Sequence, residues 1–188
     1  MMRGINWRAF VLLLAVPLLT SFAQSDAAKP YAGQDARALK ALSAEEIESY
    51  LKGQGMGLAK AAELNSYPGP RHVLELAAAL KLSAQQRART QQIFDAMHAE
   101  AVRLGGLIIE REKRLDALFV RREIDADKLR AATREIALLQ GELRAAHLRA
   151  HLDMRSLLTP EQIKHYDQLR GYDSQTKTPP AAHRNHKH

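Results

Sequence analysis

Cysteine is absent from all 188 residues. That excludes disulfide stapling, thiolate nucleophiles and sulfur-built zinc sites, so any fold must be held by packing. Aromatic side chains make up only 5% of the chain, with a single tryptophan. Stacking platforms for single-stranded nucleic acid are therefore poorly supplied. Signatures of common catalytic sites are missing too: there is no His-Glu-x-x-His, no Gly-x-Ser-x-Gly and no strand-borne acid pair. The sequence reads as a non-enzyme. Gly53-Gln54-Gly55-Met56-Gly57 is glycine-rich, but no strand precedes it and no Lys-Ser/Thr follows. It reads as a flexible joint rather than a phosphate loop. No segment alternates apolar and polar residues with a period of two, which argues against a sheet.

What is present begins with residues 1–23. Arg3 and Arg8 precede a short apolar core from Ala9 to Leu19, and Ser21-Phe22-Ala23 offers small residues at a cleavage position. This is the pattern of a secretory signal, too short for an ordinary membrane span. Retention as an uncleaved anchor is the alternative. The formal charge is +7, which favours acidic partners. In an exported compartment those are acidic stretches of unfolded proteins or anionic membrane surfaces, not nucleic acid.

Two segments share the form Leu-[Ser/Thr]-x-x-Gln: Leu82-Ser83-Ala84-Gln85-Gln86 and Leu158-Thr159-Pro160-Glu161-Gln162. Each reads as a capping box, in which the hydroxyl accepts a first-turn N–H and the Gln bonds back to the cap. Pro160 falls at the first helical position, where its missing N–H costs nothing. Leu158 and Ile163 are placed to form a hydrophobic staple. Leu42-Ser43-Ala44-Glu45-Glu46 is a third near-match, with Ile47 as its staple partner.

Between the two motifs the apolar pattern is helical. Phe94, Ala101, Ile108 and Leu115 recur at sevens, interleaved with Met97, Leu104, Arg111 and Leu118. Arg111 is the odd member of this seam, read as a stem along the core with its charge outside. Gly105-Gly106 predicts a bend. Asp125 is the expected cap of a second long helix, whose seam carries Leu129, Ile136, Leu143, Ala150 and Leu157 beside Ala132, Leu139 and Ala146. Two long helices joined by a short turn pack antiparallel. The fold class is all-α, a long helical hairpin with short flanking helices near 43–52, 71–80 and 159–171. The division is a signal over 1–23, a flexible leader with a short helix over 24–69, the hairpin domain over 70–172, and a disordered tail over 173–188. Leu107, Ile109, Val120 and Leu138 lie off the seams, where they cover a dimer interface or the short terminal helices, or offer an apolar surface for clients.

The polar cluster with chemical promise is His147, His151 and Met154. At about 100° per residue, His151 lies about 40° from His147 and Met154 about 20° on its other side. Imidazoles at i, i+4 suit Zn, Ni, Co or Cu ions, and a thioether leans towards copper. Two imidazoles are incomplete; His72 or Glu75 is placed to fold back and Asp153 is near in sequence. The alternative is two solvated histidines with Met154 packing. No motif requires a resident cofactor. His183, His186 and His188 make the tail a weak metal binder by composition.

With both motifs placed, residues 70–172 resemble the Spy/CpxP family of bacterial periplasmic stress proteins, which includes zinc-resistance-associated proteins and periplasmic heavy-metal sensors. The resemblance rests on Leu82, Ser83, Gln86, Leu158, Thr159 and Gln162 and on the hairpin between them. It implies a cradle-shaped homodimer that holds unfolded or misfolded periplasmic proteins without ATP. It implies as the alternative a metal-binding or sensing protein that signals to a membrane partner, with His147, His151 and Met154 in the corresponding neighbourhood. An upstream paired-His motif is lacking, since Leu76 stands four residues after His72.

Overall fold

The structure, a computed structural model, describes residues 30–172. The signal at 1–23 and the tail at 173–188 lie outside the described residues. Within them run α1 (Ala44–Leu51), α2 (Lys60–Glu63), α3 (Pro70–Glu75), α4 (Ala84–Val120), α5 (Ala126–Leu157) and α6 (Pro160–Leu169). The all-α hairpin expected from periodicity is what is observed: no strand occurs among the described residues, and α4 packs along α5. None of the described helices is long and apolar enough to cross a membrane.

All three expected capping boxes form. Ser43, Ser83 and Thr159 each accept the N–H of the third helical residue, and Glu46, Gln86 and Gln162 each reach back to the cap N–H. The turn between the long helices is closed by Asp125, whose Oδ1 accepts the Lys128 N–H at 2.8 Å. Arg111 pairs with Glu135 near that turn, while the Gln86 amide reaches the Leu157 carbonyl at the far end. Those two contacts fix the antiparallel register. Arg111 thus does more than lie along the core, since its guanidinium ties α4 to α5.

The seam is buried at Ala101, Leu104 and Ile108 on α4, and at Ile136, Leu143 and Ala150 on α5, while at its start Ile93 is buried in place of the expected Phe94, which is half-buried. Burial thins towards the turn, where Leu115 and Leu118 are only half-buried.

Three sequence expectations change. The stretch read as a flexible leader over 24–69 is packed on the hairpin from Leu39 onwards. Leu39, Leu42 and Ile109 form a buried cluster joined by Ile47 and Tyr50. Ile109, off the main seams, is covered by the chain's own N-terminal side, as its expected role under a short terminal helix requires. Second, α4 runs as one helix through Gly105-Gly106. The first glycine marks a close approach instead: a Cβ there would sit 2.4 Å from the Tyr50 carbonyl oxygen. Third, the helix expected over 71–80 ends at Glu75, and a turn with Lys81 at φ +51° leads into the Ser83 cap.

Gly53, in the expected joint, has φ +56° and seats against the His98 carbonyl and the Val102 side chain. Both its torsion and its contacts select glycine. The segment from Lys52 to His72 is thereby laid across the lower half of the hairpin.

Candidate functional site: a histidine-lined cavity beside a glutamine clasp

A cavity of about 470 Å³ lies between this covering segment and the hairpin. His98, His147, His151, His72, Glu63 and Phe94 are among its lining residues. Helical spacing puts His147 and His151 on the buried face of α5 together with Ala150 and Met154.

His151 is oriented by the covering segment. Its Nδ1 lies 2.7 Å from the Tyr67 carbonyl, and a carbonyl only accepts, so Nδ1 carries a proton, which in a neutral ring leaves the lone pair on Nε2. Gly69 presses on the same ring, since a Cβ there would be 3.0 Å from Cε1. Glu63 stands 3.7 Å from Nδ1. His147 is 3% exposed, and its Nε2 has no hydrogen-bond partner. Burial first, then electrostatic repulsion from the neighbouring His151 and His98 rings, push its pKa below the ordinary imidazole value, so it is neutral at neutral pH. His98 donates from Nε2 to the Lys52 carbonyl at 3.0 Å and stacks on Phe94.

The other sequence candidates lie elsewhere. Met154 is 0% exposed and packs among Val73, Ile93, Leu158, Ile163 and Tyr166. Its sulfur is occupied by apolar neighbours. His72 lines the cavity rim but is tied through Nδ1 to Glu75 at 2.9 Å. That bond, ahead of every other cause, holds the Glu75 carboxyl below the usual range. Among the described residues, no three His, Asp or Glu side chains converge closely enough to hold a metal ion. The fold alone therefore offers two imidazoles, one with a partnerless ring nitrogen, short of a complete metal ligand set.

Glu63 is a residue that sequence reasoning missed. Its carboxylate accepts the Tyr166 hydroxyl, the Tyr172 hydroxyl at 3.3 Å and the Gly69 N–H at 3.1 Å. It ties α2 and the covering segment to α6 and the residues after it. Burial, then this bond, drive the Tyr166 pKa far above its ordinary value. A lone Glu on a four-residue helix carries no spacing that points to residues 166 and 172.

The two Leu-[Ser/Thr]-x-x-Gln motifs meet directly. Gln86 Nε2 donates to Gln162 Oε1 at 2.8 Å, and Gln162 Nε2 returns a bond to Gln86 Oε1 at 3.1 Å. The remaining amide hydrogens go to the Leu157 and Leu80 carbonyls at 3.3 and 3.2 Å. Each Oε1 also accepts its own cap N–H, at 3.1 Å for Ser83 and 3.0 Å for Thr159. Both amides are thus satisfied on oxygen and nitrogen alike. This explains Gln rather than Glu in these motifs, because a carboxylate has no hydrogen to return. Replacing Gln162 by Glu removes two donated bonds and sets a charge against Gln86, so urea denaturation should show a loss of about 1–3 kcal/mol. Glu46→Gln, in the solvent-exposed third box, should stay within about 0.5 kcal/mol. Equal effects at the two positions would show that the clasp contributes nothing beyond capping.

A family model described as heavy-metal resistance matches residues 57–164, more than half of the chain. It takes in α2, the covering segment from Gly57 onwards, both long helices and the start of α6, and the family includes Spy/CpxP-like proteins. No curated protein matches the chain, and no solved structure does.

Proposed function

Because the chain belongs to the heavy-metal-resistance family, we propose that it is a periplasmic, ATP-independent holdase, exported by its N-terminal signal and not an enzyme. One observation carries this reading. Around the turn of the hairpin and along the outer side of α5, large apolar side chains stand in solvent beside arginines. Phe119 is 53%, Val120 66% and Leu138 63% exposed, with Arg121, Arg122, Arg130 and Arg134 exposed among them. Positive charge steers acidic segments of unfolded chains to this surface. The apolar groups then bind without directional demands, as a holdase of many clients requires. Release follows when the client buries its own apolar surface. A second copy of the chain on the outer side of α5, giving the cradle-shaped homodimer, enlarges the same surface.

The test is light scattering from a denatured client mixed with the purified chain after EDTA treatment. Suppression near stoichiometric amounts is expected. Val120→Ser with Leu138→Ser should weaken it several-fold while leaving the melting temperature unchanged, since both residues are exposed. Full suppression by that double variant, or none by the unaltered chain, would sink this reading.

A second reading has its own observation, the partnerless Nε2 of His147 beside His151 in the cavity. It supports binding of a Zn, Ni, Co or Cu ion, with occupancy relayed to a membrane partner. Such an ion would act here as cargo or signal.

A further inference from the structure

The cavity under the covering segment is far larger than a single ion needs. Its volume of about 470 Å³ falls among pockets that take small organic molecules, about 300–1,000 Å³. Much of its wall is apolar. Phe94 and Met97 line it from α4, both half-buried, and Phe94 is held by stacking on His98. Met56 and Leu64 line it from the covering segment, each 43% exposed. Apolar surface left in water on both sides of one cleft favours an apolar occupant that covers both.

The charge at the mouth is specific as well. Lys52, Lys60 and Arg71 line the cavity and are exposed. Lys52 is paired with Glu48, and Arg71 with Glu75 at 3.1 Å. Glu63, the acidic residue of the lining, gives its carboxylate to Tyr166, Tyr172 and the Gly69 N–H, and Arg170 stands 3.6 Å from it. Lys60 is thus the cation at the mouth without an ion pair among the described residues. One unpaired positive charge beside apolar walls matches one negative charge on an apolar body.

We propose that the cavity binds a monoanionic amphiphile, a carboxylate on an acyl chain. The chain lies against Phe94, Met97, Met56 and Leu64, and the carboxylate sits at Lys60. The site is separate from the client surface around Phe119, Val120 and Leu138, and it needs no metal ion. A neutral alcohol of the same length gains only the apolar part, so the acid binds more tightly. That order reverses simple partitioning, in which the charged form is the one held back by water.

The full-length chain, stripped with EDTA, is titrated with decanoate and with decanol. Displacement of anilinonaphthalene sulfonate fluorescence gives the affinities, and calorimetry gives the stoichiometry. One decanoate per chain is expected, bound about fivefold more tightly than decanol, the effect of one partly exposed charge pair. Lys60→Gln should weaken decanoate by that factor and leave decanol unchanged. Ala59→Trp, which adds an indole at the cavity wall, should weaken both by about tenfold. Circular dichroism shows whether that variant is folded, and Lys60→Gln, at an exposed side chain, probes the site without filling it. Val120→Ser with Leu138→Ser should change neither affinity. Equal affinity for acid and alcohol, or decanoate binding indifferent to Lys60→Gln, overturns the match of charge. Full binding by folded Ala59→Trp, or loss of binding in the Val120/Leu138 variant, puts the amphiphile outside the cavity and overturns the site. Saturation only after Zn²⁺ is added overturns it too, and returns the cavity to the metal reading.

Discussion

Met154→Ala will lower the free energy of unfolding by about 2–5 kcal/mol, while Met154→Leu will cost under about 1.5 kcal/mol. Neither will change affinity for a metal ion. The side chain is fully buried, in the cluster that joins α3, α4, α5 and α6 through Val73, Ile93, Ala150, Ile163 and Tyr166. Truncation removes three heavy atoms from the point where four helices meet, and the clasp of Gln86 and Gln162 nearby limits collapse into the void. Leucine keeps the volume and loses only the thioether. The pair of variants therefore separates packing from ligation, which share a side chain in the sequence reading. Urea denaturation followed by circular dichroism gives the first quantity, and Cu²⁺ or Zn²⁺ titration of the Leu variant gives the second. If Met154→Leu weakened metal binding as strongly as His147→Ala, the sulfur would be a ligand and its place in the core misassigned.

The adjacent glycines of α4 predict effects of opposite sign. At Gly106 a Cβ meets nothing within 4 Å. Gly106→Ala should gain about 0.8–1 kcal/mol, the difference in helix propensity. At Gly105 the same Cβ would lie 2.4 Å from the Tyr50 carbonyl oxygen and 2.9 Å from its carbon. These are backbone atoms at the end of α1, so no rotamer change relieves the contact. Helix α1 must lift, and with it Tyr50, Leu42 and Leu39 leave the cluster they form with Ile109. Gly105→Ala should cost about 1–3 kcal/mol, as overpacking of a close interface does, and outweigh the propensity gain. Thermal denaturation measures both. Limited proteolysis should cut residues 44–57 faster in Gly105→Ala alone. Stabilisation by both substitutions would mean that α1 does not rest on α4 at this point.

Much of the architecture was legible because the interactions that build it are local. The caps at Ser43, Ser83, Asp125 and Thr159 are hydrogen bonds within one helical turn, so residue type and a three-residue spacing reveal them. The seam through Ala101, Leu104 and Ile108 follows from a period that the backbone imposes. The site was half legible. His147 and His151 share a face because four residues make about one turn, and both are buried as that face requires. Met154 lies within about 20° of His147 on the same stripe, yet the sequence does not say which element covers each part of it. The α3–α6 cluster covers Met154, while the glycine-rich segment over 52–72 leaves space above the histidines.

By itself, then, the sequence determined that this protein is a capped helical hairpin behind an apolar N-terminal segment, without thiol chemistry. Those properties depend on composition and on contacts within a turn or a heptad. Only the tertiary structure decided that Gln86 pairs with Gln162, that Glu63 holds Tyr166, that Tyr50 needs Gly105, and that Met154 is core while His147 faces a cavity. Each of these joins residues dozens of positions apart, or chooses between neighbouring stripes of one helix. Local propensity is indifferent to that choice, and it is settled by which surfaces bury together.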